Sequence, residues 1–557
     1  MSEQNEQQQH AQQYREPSAL RSLLTFNSLG ILLLIGALGV SLLRVMTIEK
    51  TYFDSSKKTI RIAHWQLELG FREALQGVIN AYEKEHPDVR VIQMPVTEKV
   101  YAQWLNTHMI SGTAPDLLEM GFAKLASDDQ YRARFLLPIT ELIDSPNPYN
   151  KGTPLESLPW RETFIDGMRG GYSASLQDYY AAPTSFFSVR MFYNKQMLRE
   201  ATGSDTPPRT FGELMAVCAK VRELGTRTGR SLVPISSGSS NAGMLLDRYN
   251  VPFTSSYEAA LDEDLSGNIT QMETYAGLTA GLVSMNDPAV KAMFECQKRL
   301  ATEFPNGFMA VGRDQAAFMF VQGNAAFITT GSWDGMSLFQ QSKFDVGVIN
   351  IPIPGQGEEW SQYVTGRGNE ATTAGGAAFA LYKFSRNIDT AIDFLRFLTS
   401  LKQNENFNAA AEWLPIILGG KPSERMKAFM PDPRGFSSAV DFRFGNYVQT
   451  VYVGQYWRYL QNEIGYDEFS SKVTEALKNP VYGGDRAWSK EADDRRRWCR
   501  NQERVLAVQA MRQIIEPTAT DAERKFRTAL SQQVAANNGR DWAAFFERVR
   551  EKPIGKE

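Results

Sequence analysis

One run limits what the rest of the chain can be: from Ser22 to Leu43 it carries no charged side chain. A helix of these residues reaches about 33 Å at about 1.5 Å per residue, and the hydrocarbon core of a bilayer is about 30 Å thick. The run therefore predicts a transmembrane helix or an export signal over residues 22–45. The polar, glutamine-rich residues 1–21 before it are typical of a disordered tail, which we place in the cytoplasm.

The choice between a retained anchor and a cleaved signal stays open. Small residues before Val40 ("ALG") suit signal peptidase, but no basic stretch leads into the run. Basic residues also follow the run on the side that we expect outside, which opposes this topology. No cysteine precedes Cys218, so lipid attachment behind a signal is excluded. The long run behind a polar leader favours a retained anchor in the inner (cell) membrane, with the body on its periplasmic, extracytoplasmic face.

Composition and residue spacing exclude several functions for the body after residue 57. The formal net charge is −3, with acidic and basic residues interspersed, which predicts no nucleic-acid partner. Three widely spaced cysteines and four histidines without HExxH spacing exclude the common zinc sites. The fragment "TGRGNEA" (365–371) lacks the helix that a dinucleotide site needs behind it. No G-x-S-x-G elbow occurs, whereas a glycosidase pair of carboxylates stays open.

Hydrophobic patterning predicts an α/β body. The β-branched run 57–66 is followed by apolar residues at helical spacing from Phe71 to Tyr82, which end at His86-Pro87. A second β-branched run, "VRVIQM", comes next. Such β–α–β crossovers favour a parallel sheet with helices on its faces.

The segment "DEDLSGNITQME" (262–273) matches a calcium loop of the EF-hand type. It offers oxygen ligands at alternate positions, a central glycine and a final carboxylate. A polar turn is the alternative, because Asp, Asn and Gly are also the usual residues of turns. No cofactor is otherwise required. The predicted calcium ligands are Asp262, Asp264, Ser266, Asn268 and Glu273.

Four stretches occur in an order that is known from one family. A proline-led strand runs into Y-N-K and P-x-T-x-x-E-L within residues 183–221. The pattern F-x-x-G-x-A-A-x-x-x-x-G-x-W fills residues 318–335, with Phe327 where methionine is usual. G-G, a strand and A-x-x-F-L-x-F-L occupy residues 375–400, and L-P follows within 412–416. Over about residues 57–480 the chain thus resembles bacterial extracellular solute-binding proteins of family 1, the sugar-type, maltose-binding-protein-like proteins of ABC transporters.

The resemblance implies a two-lobed type II periplasmic-binding fold, in which two α/β lobes close on a ligand like a hinge. It places the crossings near Ala181–Ser185, Ile349–Pro354 and Thr399–Asn404. The implied division is 57–182 plus 355–400 for lobe 1, 183–350 plus 401–480 for lobe 2, and 485–557 for a helical C-terminal extension.

The resemblance also implies which residues line the cleft. Aromatic rings there stack on the apolar faces of sugars, whose hydroxyls seek polar side chains, and Trp333 is the best candidate for this stacking. No catalytic residue is implied. The implied ligand-binding residues are Trp65, Gln66, Glu68, Glu119, Met120, Ser185, Phe187, Trp333, Asp334, Arg367, Asn369, Gly376 and Trp413.

Together these features predict a membrane-tethered binding protein that captures a carbohydrate or a related small solute. It would deliver this solute to the permease subunits of an ABC importer by hinge closure, without catalysing a reaction. A ligand-binding sensor or scaffold at the membrane is the alternative. An anchored glycan-active enzyme is disfavoured because the catalytic motifs are missing.

Overall fold

The computed structural model describes residues 34–41, 57–67, 70–120, 129–173, 176, 178–265, 267–370, 375–432, 434–436, 438–516 and 522–551. Residues 34–41 are helical, whereas the predicted tail and most of the predicted anchor lie outside this set. Among the helices of the described ranges, none is both long and apolar enough to span a bilayer. Retention of the N-terminal run in a membrane therefore stays a prediction.

The first segment of the body alternates strands and helices, as its patterning predicts. Its first helix buries Phe71, Leu75, Val78, Ile79 and Tyr82, so the apolar spacing read from the sequence is confirmed. The elements are β1 (Lys58–His64), α1 (Phe71–Glu85), β2 (Val89–Pro95), α2 (Glu98–Ser111), β3 (Leu117–Met120), α3 (Asp129–Phe135), α4 (Thr140–Ile143), β4 (Tyr172–Ser173), β5 (Asp178–Tyr179) and β6 (Ala181–Ala182).

The middle segment begins with a two-residue strand and then builds a second α/β unit. Its elements are β7 (Ser185–Phe186), β8 (Val189–Asn194), α5 (Lys195–Thr202), α6 (Phe211–Thr228), β9 (Val233–Ser236), α7 (Ser239–Leu246), α8 (Asn250–Thr254), α9 (Glu258–Leu261), α10 (Gln271–Ala280), α11 (Pro288–Ala301), α12 (Arg313–Val321), β10 (Ala325–Gly331), α13 (Gly335–Gln341) and β11 (Val346–Ile349).

The last segment returns to the first unit and then becomes helical. Its elements are β12 (Gly375–Gly376), β13 (Ala378–Leu381), α14 (Ile388–Leu398), α15 (Leu401–Ala411), β14 (Leu414–Pro415), α16 (Asn446–Leu460), α17 (Tyr466–Leu477), α18 (Gly484–Ile515) and α19 (Ala522–Glu551).

Two sheets form the centres of two units. The first unit has five strands in the order β2-β1-β3-β13-β6, in which β1 runs parallel to β2 and β3 while β13 runs antiparallel to β3 and β6. The second unit has four strands in the order β11-β8-β10-β9. Helices cover both faces of each sheet with buried apolar side chains. The body is therefore a two-unit α/β fold.

A small sheet of three strands, in the order β12-β7-β14, lies where the chain passes between the units. Its central strand β7 bonds to both neighbours: Ser185 is opposite Gly376 and Pro415, and Phe186 is opposite Gly375 and Leu414. The second passage thus lies at 375–376. The third follows β14, because the amide of Leu418 still donates to the carbonyl of Thr163 in the first unit, at 2.8 Å. Both lie later in the chain than the resemblance implied. The cause is that β12 and β14 reach β7 by backbone pairing, which local sequence does not reveal.

Two segments lie elsewhere than in the implied lobe division. Residues 355–370 bond to the second unit, where the Glu358 carboxylate accepts from the amide of Gly212 (3.0 Å) and the amide of Thr365 donates to Pro252 (2.9 Å). Helix α15 packs on α1 of the first unit. Residues 401–411, which the resemblance implied for lobe 2, therefore belong to the first unit. Residues 355–370, which it implied for lobe 1, belong to the second unit.

Buried side-chain amides join the first passage to the end of β14. Asn404 and Asn408, one turn apart on α15, both donate to the carbonyl of Thr184, at 2.7 and 3.0 Å. The side-chain oxygen of Asn404 accepts a hydrogen bond from the backbone amide of Ile416 at 3.1 Å, directly after β14. The hydroxyl of Ser185 donates to Asn408 at 2.7 Å. Because these groups are buried, water does not replace the bonds.

We expect Asn404→Ala to destabilise the protein by about 3 kcal/mol, because the amide of Ile416 loses its acceptor inside the core. Asn406→Ala is the matched control, since Asn406 is exposed on the same helix and its loss changes stability by less than about 0.5 kcal/mol. Urea unfolding of the two variants measures the difference. Equal midpoints would contradict a structural role for the network.

Candidate ligand cleft

The candidate site lies where the strands of the two sheets end. In the first unit, the carboxyl ends of the parallel strands β1 and β3 lead to Trp65 and Met120. In the second unit, β10 ends at Gly331, which is opposite the first residue of β8, Val189. Ligands of open α/β sheets bind outside the carboxyl ends of the strands. The residues that follow these strands therefore form the walls of one cleft.

Glu119 organises the wall of the first unit. Its buried carboxylate accepts a hydrogen bond from the backbone amide of Trp65 at 3.2 Å and another from the side-chain amide of Gln66. The Trp65 ring lies edge-on to Tyr101, with centroids 5.1 Å apart. Met120 is half-buried at the end of β3. The structure thus brings four of the predicted residues together, while Glu68 lies outside the described residues.

Aromatic rings form a row from one unit to the other. The ring centroid of Phe71, at the start of α1, lies 4.9 Å from that of Trp413. The Phe187 centroid lies 4.8 Å from that of Trp413 and 5.4 Å from that of Trp333. Trp413 is only 2% exposed, so it supports the row from within the core. Phe187 and Trp333 are half-buried and offer ring surface to the cleft. Phe71 was not among the predicted site residues, because helical spacing marked it only as a core residue.

Two glycines let these rings approach the backbone. A Cβ on Gly331 would lie 2.2 Å from the Trp333 ring, and a Cβ on Gly376 would lie 2.4 Å from the Phe187 ring. Both distances are far below van der Waals contact, so any side chain there displaces the ring. Gly376 is thus a positioning residue for Phe187. Ser185, also predicted to line the cleft, is fully buried in the network of the passages.

Charged groups at the ends of two helices face each other across the cleft. Glu98 begins α2 of the first unit, Arg313 begins α12 of the second, and their side chains approach to 3.9 Å. Arg313 also acts on the predicted residue Asp334: burial raises the pKa of this carboxyl, and the positive charge of Arg313 opposes the shift. The sequence shows no signal for the pair, because 214 positions separate Glu98 from Arg313.

A cavity of about 150 Å³ lies in the second unit beside Val189, at the same end of the sheet as Trp333. Arg367 and Asn369 line it; Arg367 donates to the carbonyl of Ile351 at 2.7 Å. Next to it, the almost fully buried Arg190 binds Glu370 through two bonds, at 2.6 and 2.9 Å. The cavity therefore has a rigid, polar wall that suits hydroxyl groups.

The predicted calcium loop lies between α9 and α10, where carboxylate oxygens of Asp262, Asp264 and Glu273 come within 4.8 Å of one another. Glu273 accepts from the amides of Glu263 (3.0 Å) and Thr270 (2.7 Å). With Thr270 it forms the capping box of α10. Burial raises the pKa of Glu273 to about 7, which weakens it as a ligand at neutral pH. Ser266 lies outside the described residues.

The geometry of the cleft agrees with what sequence comparison finds. The family of bacterial extracellular solute-binding proteins matches residues 70–405, which is more than half of the chain. The chain belongs to this family. It is therefore an extracellular solute-binding protein of the ABC-transporter type and not an enzyme, as its motifs predicted.

Named relatives are distant in sequence. An uncharacterised ABC transporter extracellular-binding protein of Pyrococcus horikoshii is 25% identical over 347 residues, which are 58% of this chain and 68% of that protein. The maltodextrin-binding protein MdxE of Bacillus subtilis is 22% identical over 319 residues, which are 57% of this chain and 65% of that protein.

Solved structures share the fold. The GacH receptor of Streptomyces glaucescens, determined unliganded and with acarbose, has a TM-score of 0.54 at 17% identity and covers 75% of this chain and 97% of its own. A chitin oligosaccharide binding protein has a TM-score of 0.53 at 16% identity and covers 75% and 98%. The predicted two-lobed periplasmic-binding fold is thus confirmed.

We expect Gly331→Ala to destabilise the protein by about 1–3 kcal/mol, because the new methyl group overlaps the Trp333 ring. Gly243→Ala is the matched control: Gly243 lies inside helix α7 with nothing within 4 Å of an added Cβ, so this change stabilises by up to about 1 kcal/mol. Urea unfolding measures both. A neutral Gly331→Ala would contradict the close approach of the ring.

Proposed function

We propose that this protein captures a carbohydrate between its two units and closes on it. The observation that carries the proposal is the row of aromatic rings, in which Phe187 and Trp333 offer ring surface to the cleft. The polar side chains of Glu119, Asp334 and Arg367 lie at the same ends of the strands. Sugars present apolar C–H faces and polar edges, and such a site offers a partner for each. Among the similar proteins, MdxE is named as a maltodextrin-binding protein, GacH was determined in complex with acarbose, and another is named as a chitin oligosaccharide binding protein.

Closure is supported by the construction of the passages. A hinge needs short segments that absorb the rotation while the units stay rigid. Here the small sheet at the passages has two-residue strands, whereas each unit has its own larger sheet. The pair Glu98–Arg313 joins the two rims at 3.9 Å and favours a narrow cleft. A bound sugar that contacts both walls favours it further.

We also propose that the closed protein delivers its sugar to the permease subunits of an ABC importer, and that the N-terminal run holds it at the outer face of the inner membrane. The support is the family membership of the body together with the uncharged residues 22–43. A tether keeps the binding protein near its permease and so raises its effective concentration there.

Trp333→Ala should weaken carbohydrate binding by about tenfold or more, because removal of a stacking ring costs about 1.4 kcal/mol or more. Trp457→Ala is the matched control, since Trp457 is half-buried on α16 and packs on Phe308, outside the ring row. A ligand-dependent melting shift with maltodextrins and chitin oligosaccharides measures the affinities. An unchanged affinity after loss of Trp333 would contradict the stacking site.

Calcium binding by the loop 262–273 stays a prediction. A calcium site there should give a heat of binding and, at a hundredfold excess over the dissociation constant, about 2.7 kcal/mol of added stability. Asp262→Asn should abolish both, whereas Asp467→Asn, at an exposed position of α17, should change neither. Titration calorimetry and melting curves measure the two effects. Identical melting curves with and without calcium, and no heat of binding, would show that the loop serves only as the capping box of α10.

A further inference from the structure

The C-terminal hairpin of α18 and α19 lies beyond the residues 70–405 that match the family. Its open end belongs to the second unit. Trp488 packs between Tyr275 and Phe444, with ring centroids 6.3 and 6.2 Å away, and Arg550 pairs with Asp485 across the two helices. The second unit therefore holds one end of a hairpin that is about 48 Å long at about 1.5 Å per residue.

The middle of the hairpin lies on the first unit. The fully buried Gln532 of α19 accepts a hydrogen bond from the ammonium group of Lys383 at 2.8 Å. It also donates to the carbonyl of Ala133 at 3.1 Å. Lys383 follows β13, and this strand runs away from the cleft, because its first residue pairs with Met120 and its last with Leu117. The contact is thus at the edge of the sheet opposite the cleft.

The N-terminal segment of the chain enters the first unit at the same edge. The side-chain amide of Asn387, four residues after Lys383, donates to the carbonyl of Thr59 at 2.9 Å. Thr59 is the second residue of β1. Between the uncharged run and residue 57 lie residues 44–56, which span at most about 45 Å. The start of β1, to which the run is linked, and the contact with the hairpin therefore lie on the same side of the first unit.

Beyond the contact with the first unit, the hairpin exposes apolar side chains. The spacing of three or four residues places most of them along one stripe of α18, and its outer part extends about 15 Å past the level of Val505. Monomeric soluble proteins rarely leave such a contiguous apolar surface without a partner. The exposed fractions are 40% for Val505, 62% for Val508, 59% for Met511, 76% for Ile514, 71% for Ile515 and 42% for Leu530.

Charges near this tip pair with each other. Arg512 and Glu516 approach to 3.1 Å, and Arg527 and Glu523 to 2.6 Å. These acidic partners offset the charge of the two arginines. The attraction that we invoke is apolar insertion, which depends little on salt or on lipid charge.

We infer that the described part of the hairpin tip, residues 505–516 and 522–530, rests in the surface of the lipid bilayer that the N-terminal run enters. The inference rests on the proposed anchoring, since the run determines which surface lies next to this edge. Two contacts with the membrane, one through the N-terminal run and one through the hairpin tip, then fix how the body stands on it. A single flexible tether would leave this orientation free.

Cysteine probes in the full chain test the inference. The native cysteines Cys218, Cys296 and Cys499 are buried, so an environment-sensitive fluorophore is attached at Ile514→Cys. Val481→Cys is the matched control, because Val481 is 58% exposed at the other end of the hairpin. Leu38→Cys reports on the N-terminal run. Each protein is reconstituted in phosphatidylcholine vesicles that contain a lipid with a quencher on its acyl chain.

We expect quenching at positions 514 and 38, none at 481, and no effect of salt on the signal at 514. Replacing Ile514 and Ile515 by serine should lower the membrane-bound fraction of a probe at Met511→Cys by about tenfold or more. Quenching at position 38 without quenching at position 514 overturns this inference, while the proposed membrane anchor stands. Absence of quenching at both positions overturns both proposals. Burial of the probe at 514 without lipid, in a concentration-dependent dimer, assigns the stripe to a second copy instead.

Discussion

A buried hydrogen-bond network at Thr184 holds together the strands between the two units, and the rest of the structure depends on it. The carbonyl of Thr184 accepts hydrogen bonds from the side-chain amides of Asn404 and Asn408. The side-chain oxygen of Asn404 in turn accepts from the backbone amide of Ile416, directly after β14. Because β7 follows Thr184 and pairs with both β12 and β14, the network holds together the strands from which the two units extend. The position of Phe187, two residues after Ser185, follows from it directly.

In the rest of the cleft, buried residues position their neighbours, and half-exposed residues offer surface to a ligand. Trp413 and Glu119 are buried and hold other residues, whereas Trp333 and Phe187 offer surface. The adjacent His64 fits the first class: burial lowers its pKa to about 4, so it is neutral at physiological pH and adds no charge beneath Trp65. A rigid wall reduces the entropy that ligand binding has to overcome.

Much of the fold could be predicted from the chain alone, because it depends on local periodicity. The stripe of α1 and the strand after it are examples. Features that depend on distant pairing could not: β12 and β14 reach β7 across 190 and 229 residues, and no spacing announces the pair of Glu98 and Arg313. The loop 262–273 shows a third limit, since the Thr-x-x-Glu of a capping box and the end of a calcium loop share the same letters.

The order of the strands has a consequence for how this protein is made. The sheet of the first unit needs β13, which is synthesised more than 250 residues after β3. During synthesis or export from the amino terminus, β3 therefore lacks this neighbour until all four strands of the second unit's sheet have been produced. Neither unit can be obtained as one continuous fragment. Such a chain gains its native contacts late, which keeps it open to chaperones and compatible with threading through a translocation channel.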